Sequence, residues 1–511
     1  LWLLLAVDRS VFKLPRNGYS GESYFSLLRL GFMAFTVNPI KFGTDGWRGV
    51  IAADFTFERV AMLAPLAAKV LADNYGDTAS NRTVIIGFDR RFMAEDFAKV
   101  AAEAVMEAGF DVLLSQSYAP TPAFSWAAKA TNSLGAIVMT ASHNPAAYLG
   151  LKVKGAFGGS VAPEITQQIE EILGTTLPKA EKPGKLELFD PWPGYCQGLQ
   201  AKVDIGAIKA AITSGKLKVY ADVMHGAAAT GLRRLLDCEI DEINSDRDPL
   251  FGGSAPEPLP KNLATFFRTI EEAAVAYPDS IRVGLVFDGD ADRIAAADGN
   301  GNFLSSQVLI PILIQHLVQN KNFQGEIVKT VSGSDLIPRV AQLYGRSIYE
   351  TPIGYKYIAD RMLNAEVTIG GEESGGIGYG THIPERDALL SALYVLEAVV
   401  ESGRDLSEMY AELEAKTDFK AEYDRIDLPL ASMDVRAKLL ERLETDTPKL
   451  IAGKSVQDCL AVDGYKFRLS DDSWLLIRFS GTEPVLRLYC QAPNMVEVKK
   501  TLEWARDWAN S

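Results

Sequence analysis

Three carboxylates on alternate residues, Asp288, Asp290 and Asp292, follow the apolar run Ile281 to Phe287, and Arg293 closes the stretch VFDGDADR. Like charges this close repel unless something positive sits among them. An oxygen-only cluster suits a hard cation, and Mg²⁺ is its natural occupant. An EF-hand also opens with acids at positions 1, 3 and 5, but its glycine at position 6 is here Arg293 and its glutamate at position 12 is Gly299. A solvated acidic turn is the bland alternative. It does not account for a hydrophobic strand entering the acids and an arginine closing them.

Four other stretches carry polar chemistry. TASHNP (140–145) holds Ser142 beside His143. No glycine flanks the serine, so this is not the nucleophile elbow of a hydrolase. On its own it reads equally as an Asn-Pro turn with a structural serine. RFSGTEP (478–484) reads as a phosphate cradle: Arg478 supplies charge, Ser480 and Thr482 supply hydroxyls, and Gly481 frees a backbone amide. GEESGG (371–376) offers Glu372 beside Ser374, a pairing suited to sugar hydroxyls, although alone it reads as a Gly-rich surface turn. FGTDGWRG (42–49) adds Arg48, while Lys152 in LGLKV and Lys356 in PIGYKYI fall near expected loops. Any single lysine is by default a solvated surface group.

The elements that must position these groups alternate between β and α. Short Val- and Ile-rich runs at 83–89, 136–142, 218–223, 282–288, 326–331 and 366–371 read as strands. Phe97, Val100, Ala101, Ala104 and Val105 recur at helical spacing before Gly109, and residues 388–402 read as a long helix ending at Gly403. Residues 473–490 read as two strands joined by a polar turn, followed by a C-terminal helix. Prolines 178, 183, 191 and 193 mark a first break near 177–195, DGNGNF a second near 298–303, and a charged stretch a third near 415–430. In open α/β sheets ligands gather at the carboxyl ends of strands. Four segments offering one loop each can enclose a single site.

The chain has 511 residues, too many for one ordinary core. A formal net charge of −14 argues against nucleic acid as a partner. Cys196, Cys238, Cys459 and Cys490 form no CxxC clip or zinc spacing and read as reduced thiols of a cytoplasmic protein. No apolar run reaches the roughly 18 residues of a membrane span. The opening LWLLLAV lacks the basic flank of a signal peptide, and Met33 precedes the organised sequence. Residues 1–37 are therefore expected to be a disordered extension, its first 32 residues lying upstream of the natural start.

GTDGWRG, TASHNP, DGDADR, GEESGG and RFSGTEP, in this order, resemble the α-D-phosphohexomutases, and most closely the phosphoglucomutase branch. The resemblance covers roughly residues 38–511. It implies an α/β fold of four domains around a central cleft: three related α/β domains with mixed sheets, and a smaller C-terminal α+β domain. The expected boundaries are 38–192, 193–302, 303–418 and 419–511. It implies that Ser142 carries the transferable phosphoryl group, with Asp288, Asp290 and Asp292 holding Mg²⁺ and a phosphoserine oxygen completing its ligands. Glu372 and Ser374 would grip sugar hydroxyls. Arg478, Ser480, Gly481 and Thr482 would bind the non-reacting phosphate. Arg48, His143, Lys152, Arg293 and Lys356 would surround the reacting group, one lysine being a candidate proton shuttle.

The implied ligands are sugar phosphates, with a hexose 1,6-bisphosphate as intermediate and activator, acting on a monomer or homodimer. Rival readings are a bisphosphate synthase with the same site, a Mg²⁺-dependent phosphatase with an Asp nucleophile, and a non-catalytic sugar-phosphate binder. Two departures stand out. Many members carry Asn where this chain has Leu149. Dual-specificity mannose/glucose enzymes and glucosamine mutases usually carry Met or Gln at the Glu373 position and His at the Gly376 position. The GEES form favours glucose phosphate and leaves mannose and glucosamine phosphates open.

Overall fold

The structure, a computed structural model, describes residues 38–480 and 484–511. The expected extension over 1–37 therefore lies outside the described residues, as do Gly481 and Thr482. The alternating apolar runs form four sheets in chain order. The first contains β1 (Phe42–Gly43), β2 (Gly46–Val50), β3 (Thr83–Phe88), β4 (Asp111–Ser115), β5 (Gly135–Met139), β6 (Tyr148–Gly155) and β7 (Leu186–Phe189), in the order β1-β2-β6-β5-β3-β4-β7. β5, β3, β4 and β7 run parallel, and β6, β2 and β1 are antiparallel additions. The parallel strands read as unbroken apolar runs because both faces are covered. Along β3, Val84 and Ile86 enter one core and Ile85 the other, the two-residue alternation of a strand.

The second sheet contains β8 (Leu217–Asp222), β9 (Asp241–Ile243), β10 (Ile281–Phe287), β11 (Ile294–Ala297) and β12 (Phe303–Leu304), ordered β12-β11-β10-β8-β9. The third contains β13 (Glu326–Thr330), β14 (Ile348–Thr351), β15 (Val367–Gly371) and β16 (Ile377–Tyr379), ordered β14-β13-β15-β16. The fourth contains β17 (Glu422–Pro429), β18 (Leu450–Ile451), β19 (Lys454–Leu460), β20 (Tyr465–Leu469), β21 (Trp474–Phe479) and β22 (Val485–Ala492), ordered β17-β22-β21-β20-β19-β18. It is antiparallel throughout, and the helix Met495–Asn510 follows β22.

One device recurs. β5 turns back into β6, β10 into β11 and β15 into β16, each pair antiparallel. Residues 140–147, 288–293 and 372–376 are the connections of these pairs, and 480–484 joins β21 to β22 in the same way. The first three of these loops are thus hairpin turns, held at both ends by a ladder. Arg293 and Gly376 form a further bridge, tying the second loop to the third.

The first three sheets share one apolar core, which runs from Ile85 and Phe124 through Leu285 and Phe287 to Ile369 and Leu393. The fourth has its own core around Leu443, Phe467, Ile477 and Leu502. A small cluster of Trp474, Leu476 and Tyr489 against Val331 joins it to the third.

Two of the expected breaks contain local structure of their own. Residues 298–303 contain a turn in which Asp298 Oδ1 accepts from the amides of Asn300 and Asn302, and β12 pairs with β11 across it. Within 177–195, β7 pairs with β4, and Pro191 and Pro193 stand at the entry to the helix Trp192–Gln200. Proline fits there because the first helical amides have no partner to lose. Leu149 is also not a loop residue: it is fully buried on β6 opposite Gly49.

Candidate active site

The serine loop is assembled around a strained residue. Ser142 has φ +52°, the left-handed region that side chains rarely adopt. Such a conformation persists only where its surroundings over-determine it. Here the Ser142 amide donates to Thr140 Oγ1 at 2.9 Å. The buried Arg91 guanidinium donates to the carbonyls of Ser142 and Asn144, both at 2.6 Å, and to those of Pro145 and Tyr148, both at 3.1 Å. One arginine thus holds four carbonyls of the loop. Arg48 adds a side-chain bond to Asn144 Oδ1.

The acid loop meets this serine. Ser142 Oγ donates to Asp288 Oδ2 at 2.9 Å and lies 3.2 Å from His143 Nδ1. Asp288 Oδ1 accepts from the amides of Asp292 and Arg293, so its own turn fixes it. Asp288, Asp290 and Asp292 are fully buried and each presents an oxygen within 4.8 Å of the others. Thr121 secures the middle one: its amide bonds to the Asp290 carbonyl at 3.0 Å and its hydroxyl to Asp290 Oδ2 at 2.5 Å.

Lys152 Nζ bonds to Asp290 at 2.8 Å, Asp292 at 2.9 Å and Asp45 at 2.7 Å. Arg386 bonds to Asp45 and Asp292, both at 2.6 Å. Lys154 adds a contact to Asp45 at 3.2 Å, and Arg293 Nε stands 3.9 Å from Asp292 Oδ1. Burial, followed by repulsion from Asp292 and Asp290, pushes the Asp288 carboxyl well above its ordinary range. Burial would also raise Asp290, but Lys152 and Thr121 outweigh it and hold it low. Asp290 Oδ1 and Asp292 Oδ1 are buried without a hydrogen-bond partner. An oxygen-only set with orphaned buried acceptors fits a hard divalent cation.

Lys152 corrects the sequence reading. It is on β6 rather than a loop, 1% exposed, and three carboxylates surround its nitrogen. Burial disfavours its charge, but Asp290, Asp292 and Asp45 more than reverse that and raise its pKa. In this arrangement it is a protonated counter-ion to the acids.

A cavity of about 240 Å³ adjoins the loops, and Arg48, His143, Arg293, Lys356, Glu372, Ser374 and Arg478 all line it. Ser142 and the acids are buried beside it rather than on its wall. Burial, reinforced by Arg293, Arg48 and Lys152, keeps His143 well below its ordinary pKa and hence neutral. Lys356 occupies the first turn of the helix Tyr355–Asn364. The Gly354 amide, at that helix's positive end, donates to Glu372 Oε1 at 3.1 Å. Burial raises the Glu372 carboxyl to about 7, with Arg386 opposing the rise and Glu373 adding to it. Ser480 is described, and its amide bonds to the Val485 carbonyl.

Sequence reasoning missed Asp45, Arg91 and Arg386, and on the fourth sheet Arg425, Arg487 and Tyr489, which also line the cavity. Available signals existed for two of them. Asp45 lies within the quoted GTDGWRG. Arg91 belongs to a pair of arginines directly after a buried strand. Arg386 precedes Asp387, whose side chain caps the helix Ala388–Ser402. At Gly376 a Cβ would fall 2.3 Å from Arg386 Cδ. The arginine thus fills the space that a histidine at this position would need.

Comparison with known proteins agrees with this arrangement. The chain matches the four domain models of phosphoglucomutase/phosphomannomutase: α/β/α domain I over residues 39–179, domain II over 193–301, domain III over 305–417 and the C-terminal domain over 437–506. It is 29% identical to a phosphoglucomutase/phosphomannomutase of Thermococcus kodakarensis, over 90% of this chain and 96% of that protein. It is 30% identical to a phosphoglucosamine/phosphogalactosamine mutase of Sulfurisphaera tokodaii, over 90% of this chain and 99% of that protein. The crystal structure of a putative phosphomannomutase from Thermus thermophilus superposes with a TM-score of 0.79 at 32% identity, covering 93% of this chain and all of the other. With all four domains matched, the chain belongs to the phosphoglucomutase/phosphomannomutase family of phosphohexomutases.

Proposed function

We propose that this protein moves a phosphoryl group between C1 and C6 of a hexose phosphate, with Ser142 as the carrier and a hexose 1,6-bisphosphate as intermediate. One observation carries the reading. The Ser142 hydroxyl sits 2.9 Å from a buried three-carboxylate cluster, and arginines of the fourth sheet line the cavity beside it. Phosphoryl transfer asks a protein mainly for in-line positioning and charge neutralisation. Asp288, Asp290 and Asp292 would hold Mg²⁺, which when bound neutralises charge on the transferring group.

This chain's own residues do the rest. Arg478 and Ser480, with Gly481 and Thr482, hold the phosphate that is not reacting. Glu372 and Ser374 accept from and donate to ring hydroxyls. Arg48, Arg293 and Lys356 compensate charge around the reacting phosphate. The sugar hydroxyl attacks the phosphorus of phosphorylated Ser142, the P–O bond to Ser142 breaks, and the hydroxyl proton is relayed by a nearby base to the departing Ser142 oxygen, which leaves as a hydroxyl. The bisphosphate then turns over and returns its other phosphate to Ser142. Water must be kept out, or the phosphoserine hydrolyses.

The Glu-Glu-Ser reading of the 372–374 loop speaks for glucose phosphate. Mannose or glucosamine phosphate has at least equal support, since relatives at similar identity carry those names. A panel of glucose, mannose, glucosamine and ribose 1-phosphates, with Mg²⁺ and with or without a bisphosphate primer, ranks them. Conversion of a hexose 1-phosphate to its 6-phosphate supports the reading. Turnover of none of them overturns it.

A further inference from the structure

The turn between β19 and β20 carries Asp463 and Gly464. Asp463 Oδ2 accepts two hydrogen bonds: from Arg478 Nε at 2.9 Å and from the Ile353 amide at 3.0 Å. These donors belong to different sheets. Arg478 lies on β21 of the fourth, and Ile353 lies between β14 of the third and the helix Tyr355–Asn364. The next amide, that of Gly354, donates to Glu372 Oε1 at 3.1 Å. A single carboxylate oxygen thus stands between the phosphate-facing guanidinium and the backbone that fixes the sugar-facing carboxylate.

Two independent features show that the turn is built for this contact. Gly464 has φ +83°, and a Cβ there would meet the Ile477 carbonyl at 2.4 Å and Arg478 Cα at 2.9 Å. Only glycine lets the turn press against the strand at Arg478. Arg478 also lies directly opposite Arg487 in the β21–β22 register, and like charges so placed destabilise a sheet. Asp463 supplies the ion pair that offsets this at Arg478.

We infer that Asp463 is a positioning residue: it aims the Arg478 guanidinium at the substrate phosphate and ties it to the Ile353–Glu372 segment, coupling phosphate capture by the fourth sheet to sugar reading by the third. The inference rests on the reading of Arg478 as a phosphate ligand.

Steady-state kinetics on the hexose 1-phosphate that the panel turns over fastest tests both. The proteins needed are wild type, Arg478→Ala, Asp463→Ala, Asp463→Asn and the double alanine variant. Arg478→Ala and Asp463→Ala should each raise KM at least about 10-fold, the scale of a lost charge-assisted hydrogen bond, with kcat changed less. Asp463→Asn keeps an oxygen for the Ile353 amide but loses the charge, so its KM should fall between wild type and alanine. In the Arg478→Ala background, Asp463→Ala should add less than about 2-fold, because both changes remove one interaction. A KM unchanged in Arg478→Ala overturns the phosphate reading itself. A KM raised in Arg478→Ala but unchanged in both Asp463 variants, or effects that simply multiply in the double variant, overturns the role of Asp463 alone. Should Asp463→Ala fail to fold, Asp463→Asn decides by the same criterion.

Discussion

The acid loop and the arginine strand are built on opposite principles. Around Ser142, the groups that meet the acids come from three sheets and are almost wholly buried: Lys152 is 1% exposed, and Asp290 and Asp292 are fully covered. At the other end, Arg478 and its partner Asp463 keep 14% and 23% exposure, and one carboxylate links the two sheets that meet there. The first arrangement lies beside the core that the first three sheets share. The second belongs to a sheet with a separate core and a small apolar junction. Rigid charge geometry is needed where bonds form and break. Recognition of a distant phosphate needs charge that a ligand can reach.

This contrast is open to attack from both ends. The largest effect is expected at the acids. Asp290→Asn, or removal of divalent cations with a chelator, should lower kcat about 1,000-fold with KM little changed, the scale of a lost transition-state charge interaction. A KM effect alone would erase the distinction between the two ends. Next comes the loop clamp. Arg91→Ala leaves four carbonyls without their donor and should cost about 3 kcal/mol in denaturant unfolding. An unchanged unfolding midpoint would show that Ser142 needs no such support.

Glu372 gives a smaller effect that depends on pH. Its carboxyl keeps its proton to about 7 in the folded protein but loses it near 4.3 when unfolded. Between these values the folded state binds more protons, so stability falls as pH rises through the window. Glu372→Gln removes this penalty. Its stability relative to wild type should be near zero at pH 4 and rise to at most about 3 kcal/mol by pH 8. A difference that does not change with pH would contradict the shift. The smallest effect is expected at the exposed end. Arg487→Ala should raise KM about 10-fold while kcat stays within about 3-fold. A collapse in kcat would make that end part of the chemistry.

Much of this was legible in residue types and spacing. Asp288, Asp290 and Asp292 announced themselves because alternate acids after a buried strand have few other uses. β3, β5, β10 and β15 followed from apolar runs whose period matches a strand. What spacing could not show was contact over long separations. Arg91 and Ser142 are 51 residues apart, and Asp463 and Ile353 are 110 apart. Nothing near Asp463 in the sequence distinguishes it from a solvated charge, and the arginine pair at 90–91 does not name its partners. Lys152 was misplaced for the same reason: a lysine beside a loop signal reads as exposed, and only the fold brings three carboxylates to it. The break at 298–303 was legible from its Gly and Asn residues, and the matched domains II and III meet there.

The central claim is that Ser142 carries the phosphoryl group through the reaction. Intact-mass measurement of the protein after incubation with a hexose 1,6-bisphosphate and Mg²⁺ tests it directly, followed by addition of the preferred hexose 1-phosphate. The account predicts one phosphoryl group on wild type, mapped to Ser142, that passes to the sugar on addition, and none on Ser142→Ala. A Ser142→Ala protein that retains full mutase activity would contradict it, as would a phosphoryl group located on another residue.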